Sequence, residues 1–238
     1  MAASTTKSLP TFSEVLSTVW NGYTSNQTVI WKIVAPYVAV SALQGLLIAI
    51  YPEPIVATMV GVAMIGITIW VSLVLMRLMY QITMTGKANE EAAKKDIIEV
   101  LWPYIGVSIV VDIMVMLGFV AFIVPGIILA LMYFGASYAA VLDKKGVGDS
   151  MKYSLKITSG RKGNMFALLL SLGIVVGLIY MISIGITGFV LSLVGGLIGE
   201  TWSHGLPLMG QSLIDGVLLP VTTGIGVMIY GHLKKLAK

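Results

Sequence analysis

The chain has 238 residues, of which 57% are hydrophobic and only 11% charged, and its formal net charge is +4. Soluble domains carry about 25% charged residues, so the composition excludes an ordinary water-soluble fold. The 15 Lys and Arg fall in short clusters that suit anionic lipid headgroups rather than nucleic acid, and the absence of cysteine excludes disulfides and thiolate chemistry.

A polar start containing Lys7 precedes a first amphipathic segment, 11–24. Phe12, Val15, Leu16, Val19, Trp20 and Tyr23 recur on one helical face, and Thr11 with Glu14 forms a capping-box pattern at its start. Two spans follow, at about 30–50 and 55–80. The uncharged runs between Lys32 and Glu53 (20 residues) and between Glu53 and Arg77 (23 residues) are each long enough to cross about 30 Å of hydrocarbon. Tyr51-Pro52-Glu53-Pro54 divides them, since proline ends one helix and opens the next.

A second amphipathic segment, 88–102, sets Ala93, Ile97, Ile98 and Leu101 opposite Glu90, Glu91, Lys94 and Lys95. Spans at about 104–123 and 126–142 come next, with a turn at Pro125 and Gly126 between them. A third amphipathic segment, 147–160, carries Val147, Met151, Leu155 and Thr158 beside Lys152 and Lys156, and Gly160 can end it.

From Gly163 to Gly199 no residue is charged, which is too long for one span and short for two. A second crossing there would leave Lys234, Lys235 and Lys238 outside, against the positive-inside rule. One span of about 164–184 is therefore expected, followed by a glycine-rich segment, 185–200, that is re-entrant, tilted or interfacial. The last span covers about 208–231, with a kink at Pro220.

The expected fold is all-α and integral to the membrane, a single domain over 1–238. Six transmembrane helices form three hairpins, each preceded by a cytoplasmic-side interfacial amphipathic helix. Every Lys and Arg can then lie on one side, which puts both termini in the cytoplasm and the protein in a plasma (inner) membrane.

Val124-Pro125-Gly126, the short span after it, the turn 143–148, Ser150-Met151-Lys152-Tyr153-Ser154-Leu155-Lys156, Gly160 and Gly163-Asn164 form one pattern. With Tyr230 before a basic stretch, it resembles several families of uncharacterised six-span bacterial and archaeal membrane proteins. These include the membrane domain fused to some glycerophosphodiester phosphodiesterases. The match covers roughly 120–170 and the tail. The resemblance implies architecture and no catalytic residues, because the phosphodiesterase chemistry of the fused members sits in a separate soluble domain.

Among residues that could carry chemistry, Asp112 falls about mid-span, where an ionisable group is costly. It reads either as an ion or proton site or as a structural hydrogen-bond anchor. Asp215 lies early in the last span; with Gln211 and Ser212 it would form a polar vestibule if it shared a cavity with Asp112, and otherwise it is interfacial. Lys152, Lys156, Arg161 and Lys162 make the densest basic patch, and Arg77 ends the second span. All five are candidate headgroup contacts, although topology and snorkelling also account for them.

No Gly-x-Ser-x-Gly, His-Glu-x-x-His or phosphate-cradling loop is present, so no catalytic set, metal site or cofactor is expected. The expected function is a non-enzymatic multipass protein that interacts with or moves lipid or another hydrophobic molecule. The alternative is a small ion- or proton-coupled transporter or channel using Asp112. Expected partners are membrane lipids, with a homo-oligomer left open and nucleic acid excluded.

Overall fold

A computed structural model describes residues 8–51 and 53–237. The expectations that rest on Lys7, Pro52 and Lys238 lie outside the described residues. Among those described, all regular structure is helical and no strand occurs. Ten helices follow in chain order: α1 (Phe12–Ser25), α2 (Gln27–Ile50), α3 (Pro54–Thr85), α4 (Glu90–Lys94), α5 (Ile97–Ala121), α6 (Ile123–Tyr133), α7 (Ala136–Leu142), α8 (Val147–Thr158), α9 (Lys162–Ile198) and α10 (Glu200–Leu236).

Six stretches of the described residues are long and apolar enough to cross a membrane: Gln27–Ile48, Thr58–Thr85, Ile97–Ala121, Ile123–Leu142, Lys162–Ile198 and Gly205–Leu236. They mark the chain as a multipass membrane protein.

Several boundaries differ from the sequence reading. The chain does not break at Trp102–Pro103, because Pro103 lies inside α5. The break falls earlier, at Asp96, whose φ of 54° is left-handed and ends the preceding turn. Ile97 to Trp102 therefore open the long helix instead of closing the amphipathic segment.

Pro125 and Gly126 do not make the next turn. Phe122 does, with extended dihedrals of −164° and 155°, and Pro125 sits in the first turn of α6, where its missing N–H leaves no bond unmade. Gly126 instead permits close packing. A Cβ on Gly118 of α5 would stand 2.9 Å from the Gly126 Cα, so the two backbones meet at these glycines.

Nor does α9 stop near Ile184. It runs unbroken for 37 residues to Ile198, and Gly199, with a φ of 155°, ends it. At about 1.5 Å per residue that is about 55 Å of helix, well beyond the roughly 30 Å of hydrocarbon. The expected separate segment over 185–200 is thus mostly a continuation of the same helix.

The chain divides into two compact units. The first comprises Met1–Gly22, Met76–Leu172 and Gly224–Lys238. It holds α1 to Gly22, the end of α3, all of α4–α8, the start of α9 and the end of α10. Its core includes Val15 and Val19 of α1, Leu78 and Met79 of α3, and Ile229, Tyr230 and Leu233 of α10, all buried. Beside them, Val107 packs with Ala136 and Ala140, the small alanines letting α5 and α7 approach.

The second unit comprises Tyr23–Leu75 and Gly173–Thr223. Ile30, Ile33 and Val34 of α2 and Val71, Leu73, Val74 and Leu75 of α3 are buried there. Met181, Ile182, Ile186 and Phe189 of α9 stay exposed, as suits a face solvated by lipid tails rather than water.

Candidate functional site

In the first unit, one helix break organises the polar groups. The fourth span, Ile123–Leu142, is interrupted at Phe134–Gly135, between α6 and α7, and a break inside a span strands backbone groups. Helix α8 supplies their partners. Ser154 Oγ accepts the N–H of Gly135 at 3.0 Å and donates to the Met132 carbonyl at 2.8 Å. Thr158 donates to the same carbonyl at 3.3 Å. Ser150, Ser154 and Thr158 share one buried face of α8, spaced four residues apart.

The C-terminal ends of α7 and α10 are closed by side chains. Tyr230 donates its hydroxyl to Asp143 Oδ2 at 2.7 Å, and the Lys234 ammonium pairs with Oδ1 of the same carboxylate. Arg77 donates from Nε to the Val141 carbonyl at 3.4 Å and from Nη1 to the Lys95 carbonyl. Arg161 donates from Nη2 to the Leu236 carbonyl at 2.9 Å, capping α10. Cations at these positions meet the negative end of the helix dipole and the orphan carbonyls together.

Arg77 also lines a cavity of about 290 Å³, together with Tyr80, Gln81, Lys95, Asp96 and Lys144. Its rim holds two non-glycine residues in the left-handed region, Asp96 and Lys144 (φ 51°), a conformation that costs energy and often accompanies a binding site. These two are joined: the Lys144 ammonium lies 3.1 Å from Asp96 and 2.7 Å from Glu99. The bonds to Glu99 and Asp96 raise the Lys144 pKa above the ordinary lysine value. The Lys95 ammonium and the Tyr80 hydroxyl make no hydrogen bond or ion pair among the described residues. The lining therefore carries three cations, one carboxylate and unused donors, a set that complements a phosphate or carboxylate.

A second cavity, of about 190 Å³, belongs to the second unit. Ser41, Gln44, Gly45 and Ile48 of α2 face Leu208, Gln211, Ser212 and Asp215 of α10 across it. Both sets follow helical spacing, so each helix contributes one polar stripe. Tyr180 of α9 donates its hydroxyl to Asp215 Oδ1 at 3.1 Å and accepts from Gln211 Nε2 at 3.3 Å.

The residues singled out from sequence are thus distributed. Asp215, Gln211 and Ser212 share one cavity. Asp112 lines neither: it belongs to the first unit and is exposed on α5 among Ile109, Ile113 and Met116. Of the five candidate headgroup contacts, Arg77 lines the larger cavity while Arg161 is committed to a helix end. Lys152 and Lys156 stand exposed on α8, and Lys162 opens α9. Sequence reasoning did not single out Lys95, Lys144 or Tyr80 for the one cavity, nor Ser41, Gln44 or Tyr180 for the other. No family model matches the chain, and no curated protein or solved structure matches it significantly.

Proposed function

We propose that this chain is a non-enzymatic multipass protein of a prokaryotic plasma membrane that binds the headgroup of an anionic lipid at the Arg77 cavity. One observation carries the reading: the unpartnered Lys95 ammonium and Tyr80 hydroxyl line the same cavity as Arg77 and Lys144. Each cation near an anionic surface contributes about 1 kcal/mol, so the Arg77 and Lys95 charges, beside a Lys144 already paired with Asp96 and Glu99, favour an anionic phospholipid over a neutral one. Oxyanion chemistry fits the remaining guanidinium and phenol donors.

The topology belongs to the same proposal. Both termini lie in the cytoplasm and the six spans pair as three hairpins. Helix α1, the segment of α4 with the first turns of α5, and helix α8 lie at the cytoplasmic interface. The support is the distribution of the 15 Lys and Arg, all of which this arrangement puts on one side. The kinship with six-span families is part of it too. Its support is that Asp143, Ser154 and Tyr230, which belong to the resembling pattern, take part in the polar contacts that organise the first unit.

The test is mass spectrometry of lipid copurified with wild type and with a Lys95→Ala/Lys144→Ala variant. The reading expects anionic phospholipid enriched several-fold over the bulk membrane in wild type and lost in the variant. Bulk-like composition in both would overturn it.

A further inference from the structure

We infer that the Asp215 cavity is a binding site for a small monovalent cation, held within the membrane-spanning part of α2, α9 and α10. This does not rest on the lipid reading, since no residue of the Arg77 cavity takes part.

Charge supports it first. Asp215 is the one charged residue among those lining the cavity, and no Lys or Arg faces it. It stands well inside the span Gly205–Leu236, where a carboxylate needs a counter-charge or a water-filled cavity. Its neighbour Tyr180 supplies one hydrogen bond, to Oδ1, and no charge. Oδ2 makes no bond among the described residues.

Donor chemistry points the same way. Gln211 spends its Nε2 donor on the Tyr180 hydroxyl, which directs the Tyr180 proton onto Asp215 and leaves the Gln211 Oε1 free to accept. Ser212 spends its proton on the Met209 carbonyl at 2.6 Å, so its Oγ retains lone pairs. Ser41 and Gln44 across the cavity make no bond among the described residues. The lining therefore offers one negative charge, several neutral oxygens and no positive charge. That set suits a hard cation or a small ammonium. A single carboxylate neutralises one positive charge, whereas a divalent ion would leave a net charge in a low-dielectric region. At about 190 Å³ the cavity admits a small ion with some of its waters.

The experiment is thermal unfolding of the purified protein in detergent at constant ionic strength. Sodium, potassium or methylammonium chloride is titrated in place of N-methyl-D-glucamine chloride, whose cation is too bulky for the site. The expected result is a saturable rise in Tm with at least one small cation, the comparison telling an inorganic ion from an amine. Asp215→Asn should abolish it, and Tyr180→Phe should weaken the affinity roughly tenfold, as for one lost hydrogen bond to a charged group. Lys95→Ala/Lys144→Ala should leave it unchanged. If Asp215→Asn does not fold, the pair Ser41→Ala/Gln44→Leu takes its place with the same expected loss. No saturable shift in wild type, or a shift undiminished in these variants, would overturn the inference.

Discussion

The hydroxyl of Ser154 takes the N–H of Gly135 at 3.0 Å and returns its own proton to the carbonyl of Met132 at 2.8 Å, closing the gap where α6 gives way to α7. One buried side chain thus satisfies both a donor and an acceptor that the broken helix leaves open. Ser154→Ala would strand the Gly135 N–H, at a cost of about 1–3 kcal/mol, and leave the Met132 carbonyl only the longer 3.3 Å contact with Thr158. The expected outcome is a clear fall in Tm in detergent, larger than that of Thr158→Val, because Thr158 reaches the break only at the Met132 carbonyl, at 3.3 Å, and makes its shorter bond, 2.9 Å, to the Ser154 carbonyl within α8. Equal Tm values for both variants and wild type would contradict this account of the break.

Tyr230 is fully buried, and its hydroxyl bonds the Asp143 carboxylate that also holds Lys234. Tyr230→Phe keeps the ring that packs at 5.7 Å against Tyr138 and removes only the donor. We expect a loss of about 1.5–3 kcal/mol, the range for hydrogen bonds to charged groups. Asp143→Ala should cost more, because it leaves two partners unpaired. Denaturation curves of the two variants give the order directly.

Gly118 and Gly126 set the distance between α5 and α6. A new Cβ at Gly118 would strike Leu129 Cδ1 at 2.8 Å and the Gly126 Cα at 2.9 Å, and because the second is backbone no rotamer change relieves it. Gly118→Ala should destabilise by about 1–3 kcal/mol through overpacking. Gly173→Ala, where nothing lies within 4 Å, should be near neutral. Comparison of the two melting curves tests whether the close approach is real.

Lys144 gives a pH dependence of definite sign. Its pKa is raised by the bonds to Glu99 and Asp96. A raised lysine value means that its contribution is fully present below the unfolded-state pKa and is lost as pH rises through the higher folded value. Lipid retention is therefore expected to be flat across neutral pH and to fall only in the alkaline range. Retention that fell between mildly acidic and neutral pH would point to another group.

The six apolar stretches were legible in the sequence because each is long and nearly free of charge, a signal that needs no knowledge of packing. The breaks were less so. Prolines drew attention to 102–103 and 125, yet α5 carries Pro103 in its interior and α6 absorbs Pro125 in its first turn. The chain turns instead at Asp96 and Phe122; Asp tolerates the left-handed conformation but stands there without a neighbouring Gly or Pro, and Phe carries no turn signal. Gly185 and Gly188 suggested an end to α9, but an uninterrupted apolar helix keeps its backbone bonds satisfied in lipid, and that outweighs the modest glycine penalty.

The sites follow the same division. Asp215 and Gln211 stand out as polar residues in an apolar span. Tyr180, Ser41 and Gln44 look ordinary alone, and only the spacing of Ser41 with Gln44 and of Gln211 with Asp215 hints at polar stripes. Lys95 and Lys144 were legible as topology signals. Their convergence beside Arg77 depends on two left-handed backbone positions that their residue types do not announce.

The most direct test of the central claim is the melting temperature of the purified protein with a short-chain phosphatidylglycerol, against the matching phosphatidylcholine, in wild type and in Lys95→Ala/Lys144→Ala. The account predicts saturable stabilisation of wild type by the anionic lipid alone, weakened at least tenfold in the variant and by added salt. Equal stabilisation by both lipids, or an anionic effect that survives the double substitution, would contradict it.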